Sequence, residues 1–274
     1  MSSDAREQPA PVPAWRRWEP MVEAFAWPLA LRMAAAADVR AGARVLDVGC
    51  GIGDPTLQVA VLVGPHGRVV GVDVVPSALD AARERARALG LGHVEFVDAD
   101  ITTMDLAPGG FDVVLGRWSV IYLHDVVGTL ARLREALATG GRIAVSAWAP
   151  ADANPWLAIP AAVLPAVGES LSLDPARPGI LHLSADGALA RALVEAGYQA
   201  VGQERVVLSY FARDVREFWE SLTDEAGPLG PLAARLDDER LAEVERRLAD
   251  ALAPYRTGGV LRIPAQAQLA WGHA

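Results

Sequence analysis

The chain has 274 residues, of which 52% are hydrophobic and 22% charged, and its net charge is −9 at pH 7. This length and composition favour one large globular α/β domain, and the acidic balance without a basic stripe argues against nucleic acid or an anionic membrane surface as a partner. All basic residues other than histidine are arginine, and the single cysteine, Cys50, excludes an intrachain disulfide and a cysteine-rich zinc site.

The amino-terminal half predicts an alternation of strands and helices. Residues 1–14 form a polar, proline-rich tail, and an aromatic helix over Trp15–Ala37 follows. From Ala43 onward, short apolar runs alternate with helical patterns, which predicts a parallel, doubly wound sheet with right-handed crossovers. The five predicted strands are Arg44–Val48, Arg68–Val72, Val94–Val97, Phe111–Leu115 and Arg142–Ala147.

The carboxy-terminal half predicts two more strands with helices between them. Strand six covers Gln199–Tyr210 and the last strand covers Leu261–Trp271. Apolar residues recur at helical spacing over Asp214–Tyr255, so this segment is predicted to be mostly helical. A helical insertion between two late strands can form a lid, which we place at about residues 213–258. The predicted organisation is therefore residues 1–42 as tail and helices, 43–150 as core, and 151–274 as the lid-bearing part of the same domain.

The most informative segment is Arg44–Val59, which reads RVLDVGCGIGDPTLQV. A strand carrying Asp47 breaks into a turn and restarts as a helix, for which Asp54 suits the N-cap and Pro55 the first helical position. Three glycines stand on alternate positions of this turn: Gly49, Gly51 and Gly53. Such glycines let the backbone approach a flat cofactor closely. The dinucleotide fingerprint G-x-G-x-x-G would need glycine at position 54, which argues against a nicotinamide-dependent oxidoreductase.

Charged residues lie at or near the ends of the first four strands. Asp47 lies in strand one, Asp73 closes strand two, Asp100 follows strand three and Arg117 follows strand four. The carboxyl ends of parallel strands meet at one edge of a doubly wound sheet, where ligands bind. We therefore expect these four side chains to converge on a ligand.

The segment Val45–Ala147 resembles the class I S-adenosylmethionine (SAM) methyltransferases of the ubiquinone/menaquinone methyltransferase-like (UbiE-like) type. The resemblance rests on VLDVGCGIGD, VVGVDVVPSAL, VEFVDADITTMDL, FDVVLGRWSVIYLHD and LREALATGGRIAVSAW, in this order. It implies a Rossmann-like, seven-stranded sheet that is mostly parallel with an antiparallel last strand, N-terminal helices, and a helical lid between the last two strands. It also implies SAM as cofactor and S-adenosylhomocysteine as product.

The resemblance assigns the nucleoside end of SAM to residues after strands two and three. Asp73 would accept both ribose hydroxyls, with Val74 beside it. Asp100 would accept from the adenine amino group, and Ile101 would press on the ring. Asp98 is the alternative to Asp100, displaced by two positions.

The methionine end of SAM is assigned by the same resemblance. The glycine turn would lie under the ribose and methionine portions of SAM. Asp47 would face the amino group of the methionine portion; the alternative is that it only orders the turn. Arg117 would pair with the cofactor carboxylate or with an acidic neighbour. Trp18 would cap the cofactor from the N-terminal helix or pack on the sheet.

A base is needed where the methyl acceptor is a weak nucleophile. His124, in the loop after strand four, and the neighbouring Tyr122 are the predicted catalytic residues. The alternative for His124 is a histidine at a helix start, with Asp125 as N-cap. His182 could also reach the acceptor.

Absent motifs narrow the reaction. No Asn-Pro-Pro-Tyr and no acidic pair with Asp-Asn follows strand four, so we expect a metal-independent enzyme acting on a small molecule. The residues Phe211, Phe218, Trp219 and Trp156–Leu164 suggest a pocket for an apolar or aromatic acceptor, or else a core between lid and sheet. O-methylation in bacterial secondary metabolism is favoured, with C- and N-methylation open.

The sequence leaves three other functions open. The chain could retain SAM for cyclase or pericyclic chemistry, sense SAM without catalysis, or use a nicotinamide cofactor. The resemblance suggests a homodimer. The amino terminus has no signal-peptide pattern and no apolar run reaches about 18 residues, so we expect a cytoplasmic protein without a membrane span.

Overall fold

The computed structural model describes residues 12–225 and 229–274, with side chains described from residue 17 onward except at residue 225. Most of the predicted tail therefore lies outside the described residues. The chain divides into two compact units. The sheet unit contains residues 26–150, 174–207 and 266–274, and the helical unit contains residues up to 25 together with 151–173 and 208–265.

The elements follow the predicted alternation. The strands are β1 Arg44–Val48, β2 Arg68–Asp73, β3 Val94–Asp98, β4 Phe111–Arg117, β5 Leu137–Trp148, β6 Gln199–Ala212, β7 Arg256–Thr257 and β8 Val260–His273. The helices are α1 Val12–Ala36, α2 Thr56–Val63, α3 Pro76–Ala88, α4 Val126–Ala136, α5 Pro155–Val163, α6 Ala188–Glu195, α7 Val215–Glu225, α8 Leu229–Ala233 and α9 Asp238–Leu252. No helix in the described part is long and apolar enough to cross a membrane.

The sheet has the strand order β3-β2-β1-β4-β5-β8-β6, and the two-residue β7 pairs with β8 outside this path. Strands β1 to β5 are parallel, and β8 runs antiparallel to β5 with Ile143 opposite Gly272. The strand order reverses between β1 and β4, which is the switch point at which doubly wound sheets bind ligands. The predicted Rossmann-like fold with an antiparallel last strand is confirmed.

The centre of the sheet is apolar on both faces, as expected for parallel strands covered by helices. Val45, Leu46 and Leu115 are fully buried in the two central strands. Helix α3 contributes Leu79 to a cluster that also contains Cys50. The single cysteine is therefore a packing residue.

Two local predictions are wrong. Helix α2 begins at Thr56 with Pro55 in the N-cap position, and no side chain caps it. The Asp54 carboxylate instead accepts a hydrogen bond from the Gln58 amide. Strand β5 begins at Leu137 rather than at Arg142, because Leu137 pairs with β4 ahead of a register shift.

The helical unit has its own core. The ring of Tyr210 contacts Phe25, Trp156 and Phe218 at centroid separations of 5.4, 5.9 and 5.6 Å. The hydroxyl of Tyr210 lies 2.6 Å from that of Ser221. Helices α7, α8 and α9 lie between β6 and β8 in the chain, as predicted. Of the aromatic residues considered for an acceptor pocket, Trp156, Phe218 and Trp219 are buried in this unit.

Candidate functional site

The three glycines after β1 all have positive φ angles, but the surroundings that a Cβ would meet differ at each position. A Cβ on Gly49 (φ +67°) would lie 2.4 Å from the Cβ of Ser119, so Gly49 permits close packing of two loops. A Cβ on Gly53 would lie 3.1 Å from Leu57 in the first turn of α2. A Cβ on Gly51 (φ +52°) would meet nothing within 4 Å. Gly51 alone therefore leaves open space beside the backbone for a ligand.

Asp47 is completely buried near the end of β1. Its Oδ2 accepts a hydrogen bond from the Thr56 hydroxyl at 2.5 Å, whereas its buried Oδ1 has no partner among the described residues. Burial raises the pKa of Asp47 to about 7, although the Thr56 hydrogen bond and the Arg117 guanidinium favour the charged form. A buried oxygen without a partner is rare and indicates a missing donor. The site is thus prepared for a cationic or donor group of a ligand.

Arg117 is the last residue of β4. It lies close enough to Asp47 for its positive charge to favour the charged form of the Asp47 carboxyl. Its Nη2 donates to the Asp54 carbonyl oxygen at 3.0 Å, and its guanidinium carbon lies 5.2 Å from the Trp118 ring centroid. No carboxylate forms a hydrogen bond with it among the described residues, although the Asp47 carboxyl lies close enough to interact electrostatically. A guanidinium carries five N–H donors, which leaves donors for a carboxylate ligand.

Asp73 ends β2 and is held by the main chain. Its Oδ2 accepts from the Gly51 N–H at 2.7 Å, and its Oδ1 accepts from the Val75 N–H at 3.0 Å. Burial raises its pKa, and these main-chain bonds oppose the rise. Each carboxylate oxygen can accept a further bond, so Asp73 is a fixed acceptor for hydroxyl groups. Val74 beside it is exposed, and Asp98 is its register partner on β3.

Asp100 begins the loop after β3, and its Oδ1 accepts from the main-chain N–H and the hydroxyl of Thr102, at 2.8 and 2.7 Å. The side chain of Ile101 next to it is buried. This loop is held by Arg132 of α4, whose guanidinium donates to the carbonyls of Ile101, Thr102 and Met104. Arg132 is a positioning residue that the sequence did not reveal, because its helical position gives no local signal.

Trp118 is a second residue that the sequence did not single out. Its φ angle is +53°, a left-handed conformation that bulky residues rarely adopt outside functional or strained sites. Its main-chain N–H donates to the Ser146 hydroxyl at 3.0 Å, and its ring stacks on Trp148 with centroids 4.2 Å apart. The next residue, Ser119, has a buried hydroxyl without a partner among the described residues.

The predicted catalytic residues lie beyond β4. Tyr122 is half-exposed at the end of a 3-10 turn over Val120–Tyr122, and His124 is exposed next to Asp125, which caps α4. His182 is half-buried, with its Nδ1 3.0 Å from the carbonyl oxygen of Ile121. His124 and His182 both line a cavity of about 320 Å³ in the sheet unit. The catalytic roles of His124 and Tyr122 stay predictions.

Trp18 belongs to the helical unit, whereas the other predicted cofactor residues belong to the sheet unit. It is buried, and its indole N–H donates to the Asp224 carboxylate at 2.8 Å. These contacts account for its position as a packing residue. The predicted contact between Trp18 and the cofactor stays a prediction.

Cys50 is packed inside the glycine turn and is not a reactive thiol. The Cys50 thiol is buried, and burial raises its pKa above the ordinary range of a thiol, which makes it a poor nucleophile. Within the described ranges, no three side chains of His, Cys, Asp or Glu are grouped so that they could hold a metal ion.

Comparison with known proteins shows that this chain is similar to methyltransferases. Residues 40–166 match the model of a methyltransferase domain. The chain is 39% identical over 120 residues to aklanonic acid methyltransferase DauC of Streptomyces sp. (strain C5), covering 44% of this chain and 54% of that protein. It is 28% identical over 256 residues to nocamycin O-methyltransferase of Saccharothrix syringae, covering 86% of each.

A third relative carries the same core. The chain is 40% identical over 111 residues to the ubiquinone/menaquinone biosynthesis C-methyltransferase UbiE of Pseudomonas fluorescens (strain Pf0-1), covering 39% of this chain and 42% of that protein. The chain thus spans about half the length of DauC and of UbiE. Among solved structures, the YcgJ protein of Bacillus subtilis aligns with a TM-score of 0.57 at 20% identity, over 90% of this chain and 97% of that one. This likeness supports the fold.

The glycine turn yields a prediction on stability. Gly51→Ala is expected to cost about 1–2 kcal/mol of unfolding free energy, the penalty of a left-handed alanine. Gly49→Ala is expected to cost a further ~1–3 kcal/mol because its Cβ overlaps the Ser119 side chain. Urea unfolding followed by circular dichroism measures both values. Equal losses in the two variants would contradict the packing role of Gly49.

The buried Asp47 yields a prediction on pH. Its pKa rises from 3.8 to about 7 on folding, so the folded state binds the proton more tightly than the unfolded state. The resulting stability is present below about pH 3.8 and is lost as pH rises to about 7, by about 1.4 kcal/mol per unit. Asp47→Asn cannot titrate and serves as the reference.

The measurement is urea unfolding of both proteins at mildly acidic and mildly alkaline pH. The wild type should lose stability relative to Asp47→Asn by a few kcal/mol across this interval. A difference that does not change with pH would show that Asp47 stays charged in the folded protein.

Proposed function

We propose that the protein is a class I SAM-dependent methyltransferase of the UbiE-like type, which binds SAM and methylates a small, apolar or aromatic acceptor; the match of residues 40–166 to a methyltransferase domain supports this proposal. The observation that carries the proposal is the convergence of Asp47, Gly51, Asp73 and Arg117 at the switch point of the sheet. When bound, SAM supplies an electron-poor methyl group on a sulfonium.

The described side chains fit the methionine end of SAM. The buried Asp47 Oδ1 lacks a donor, and the cofactor's ammonium group would supply one together with a compensating charge. Arg117 lacks a carboxylate partner in the described part of the chain, and the cofactor's carboxylate would match its remaining donors. Gly51 leaves the space that the ligand needs.

The described side chains also fit the nucleoside end of SAM. The Asp73 carboxylate is fixed by Gly51 and Val75, so its oxygens would accept the ribose hydroxyls without further ordering. Asp100 and the buried Ile101 would contact the adenine. The Arg132 contacts hold that loop before any ligand arrives, which lowers the entropic cost of binding.

The chain's contribution to methyl transfer would be alignment and exclusion of water. In-line displacement at a methyl group depends on a fixed geometry of donor and acceptor. Two arginines hold the glycine turn by its carbonyls, since Arg85 donates to Ile52 and Arg117 to Asp54. The cofactor residues therefore sit on a turn that is ordered by side chains outside it.

The acceptor is proposed from the relatives. Two of the relatives are named aklanonic acid methyltransferase and nocamycin O-methyltransferase. By analogy we propose an acceptor from bacterial secondary metabolism and favour O-methylation. The half-exposed Tyr122 and the exposed His124 stay the predicted catalytic residues.

The cofactor assignment is tested by isothermal titration with SAM and with S-adenosylhomocysteine. Wild type is expected to bind both, and Asp73→Ala to bind at least about tenfold more weakly, because the diol loses its acceptors in a half-buried site. Asp80→Ala, at an exposed carboxylate on α3 that pairs with Arg83, is the matched control and should bind nearly as the wild type does.

Two outcomes would overturn the proposal or its details. If wild type binds neither ligand, the protein is not a SAM-dependent enzyme. If Asp73→Ala binds both ligands as the wild type does, the ribose assignment is wrong. Transfer itself is read as formation of S-adenosylhomocysteine with a mass gain of one CH₂ on a phenolic acceptor, and binding without either product would indicate that SAM is retained rather than consumed.

A further inference from the structure

We propose that the Ser119 hydroxyl, together with the Asp47 carboxylate, binds the ammonium group at the methionine end of SAM. The inference rests on the proposed function and adds to the site a residue that determines which ligands it accepts. Asp47 lies in β1 and Ser119 follows β4, and these neighbouring strands flank the switch point of the sheet. Both residues belong to the sheet unit.

The Ser119 side chain does not serve the turn that it begins. A serine at the start of a helical turn usually accepts a hydrogen bond from a main-chain N–H of that turn. Ser119 directly precedes the 3-10 turn over Val120–Tyr122, and its side chain forms no such bond. Its main-chain carbonyl accepts from the Tyr122 N–H at 3.2 Å and closes the turn. The turn therefore does not need the hydroxyl.

Two glycines make room for this side chain. A Cβ on Gly49 would lie 2.4 Å from the Ser119 Cβ, and a Cβ on Gly116 would lie 3.0 Å from the Ser119 Oγ. Ser119 thus packs against the glycine turn on one side and the end of β4 on the other. Its Oγ is shielded from solvent and has no hydrogen-bond partner among the described residues. A buried polar atom in this state is unfavourable and indicates a missing partner.

The Asp47 Oδ1 atom is a second buried oxygen that lacks a partner in the described part of the chain. Asp47 lies two residues before Gly49, on which Ser119 packs. An ionised carboxylate only accepts hydrogen bonds, whereas a hydroxyl accepts or donates, so a group that satisfies both oxygens must donate to Asp47. An ammonium group combines three donors with the positive charge that a buried carboxylate favours. The carboxylate of the same ligand would match Arg117.

The test compares S-adenosylhomocysteine with its deamino analogue, which keeps the nucleoside, the sulfur and the carboxylate but lacks the ammonium group. Both ligands are titrated calorimetrically into the full-length wild type and into Ser119→Ala. The variant is expected to bind S-adenosylhomocysteine at least about tenfold more weakly than the wild type, because a hydrogen bond to a charged group is lost. Its affinity for the deamino analogue should equal that of the wild type.

Urea unfolding of the ligand-free proteins separates a binding role from a structural one. Ser119→Ala should keep or raise the unfolding midpoint of the wild type, since the removed hydroxyl has no hydrogen bond to lose. Ser221→Ala is the matched control. Ser221 is fully buried in the helical unit, lies 2.6 Å from the Tyr210 hydroxyl and donates to the Phe218 carbonyl at 2.8 Å. Ser221→Ala should therefore lower the midpoint and leave the affinity for S-adenosylhomocysteine unchanged.

Any of three results would overturn the role of Ser119. One is that Ser119→Ala binds S-adenosylhomocysteine as the wild type does. Another is an equal loss of affinity for both ligands, which would indicate a packing effect rather than contact with the ammonium group. The last is an unfolding midpoint lowered as in Ser221→Ala, which would show that the hydroxyl is already paired through water in the ligand-free protein.

The wild type separates this inference from the proposed function. If it binds neither SAM nor S-adenosylhomocysteine, the proposed function is refuted and the role of Ser119 falls with it. If it binds both and Ser119→Ala binds them equally well, the proposed function stands and the role of Ser119 alone is refuted.

Discussion

The burial of the Asp47 carboxyl near the end of β1 is the constraint around which this site is built. Removing a carboxylate from water is costly unless it is paired or protonated. Thr56 satisfies one oxygen, Arg117 lends a nearby positive charge, and the other oxygen is left without a partner among the described residues. Without a ligand, the cost appears as a pKa raised to about 7. The same incomplete pairing creates affinity for a cationic group.

Arginine guanidinium groups order the loops at this edge of the sheet. Arg85 and Arg117 donate to carbonyls of the glycine turn, and Arg132 donates to three carbonyls of the loop that follows Asp100. Loops at a ligand site expose carbonyls that no strand or helix satisfies, and a guanidinium offers several donors in a fixed plane. In a chain without lysine, arginine thus serves both as a structural brace and as a charge for the ligand.

The region after β4 is a short turn that contacts two other segments of the sheet unit. The left-handed Trp118 turns the chain sharply, so that Ser119 packs on Gly49 while Ile121 holds His182. A strained backbone persists only where its surroundings compensate for it. Here the Ser146 hydrogen bond and the stacking on Trp148 do so. One short turn therefore contacts both the glycine turn and the segment that carries His182.

The sequence alone determined the alternation of strands and helices, the doubly wound sheet, and the positions of Asp47, Asp73 and Arg117 at strand ends, because these follow from local periodicity and spacing. It could not assign separate roles to the three glycines, since each role depends on what a Cβ would meet. It also could not show that Arg132 holds a loop about 30 residues away, or that His182 and His124 line the same pocket. Only the tertiary structure decided these features, because they arise from contacts between segments that are distant along the chain and carry no local pattern.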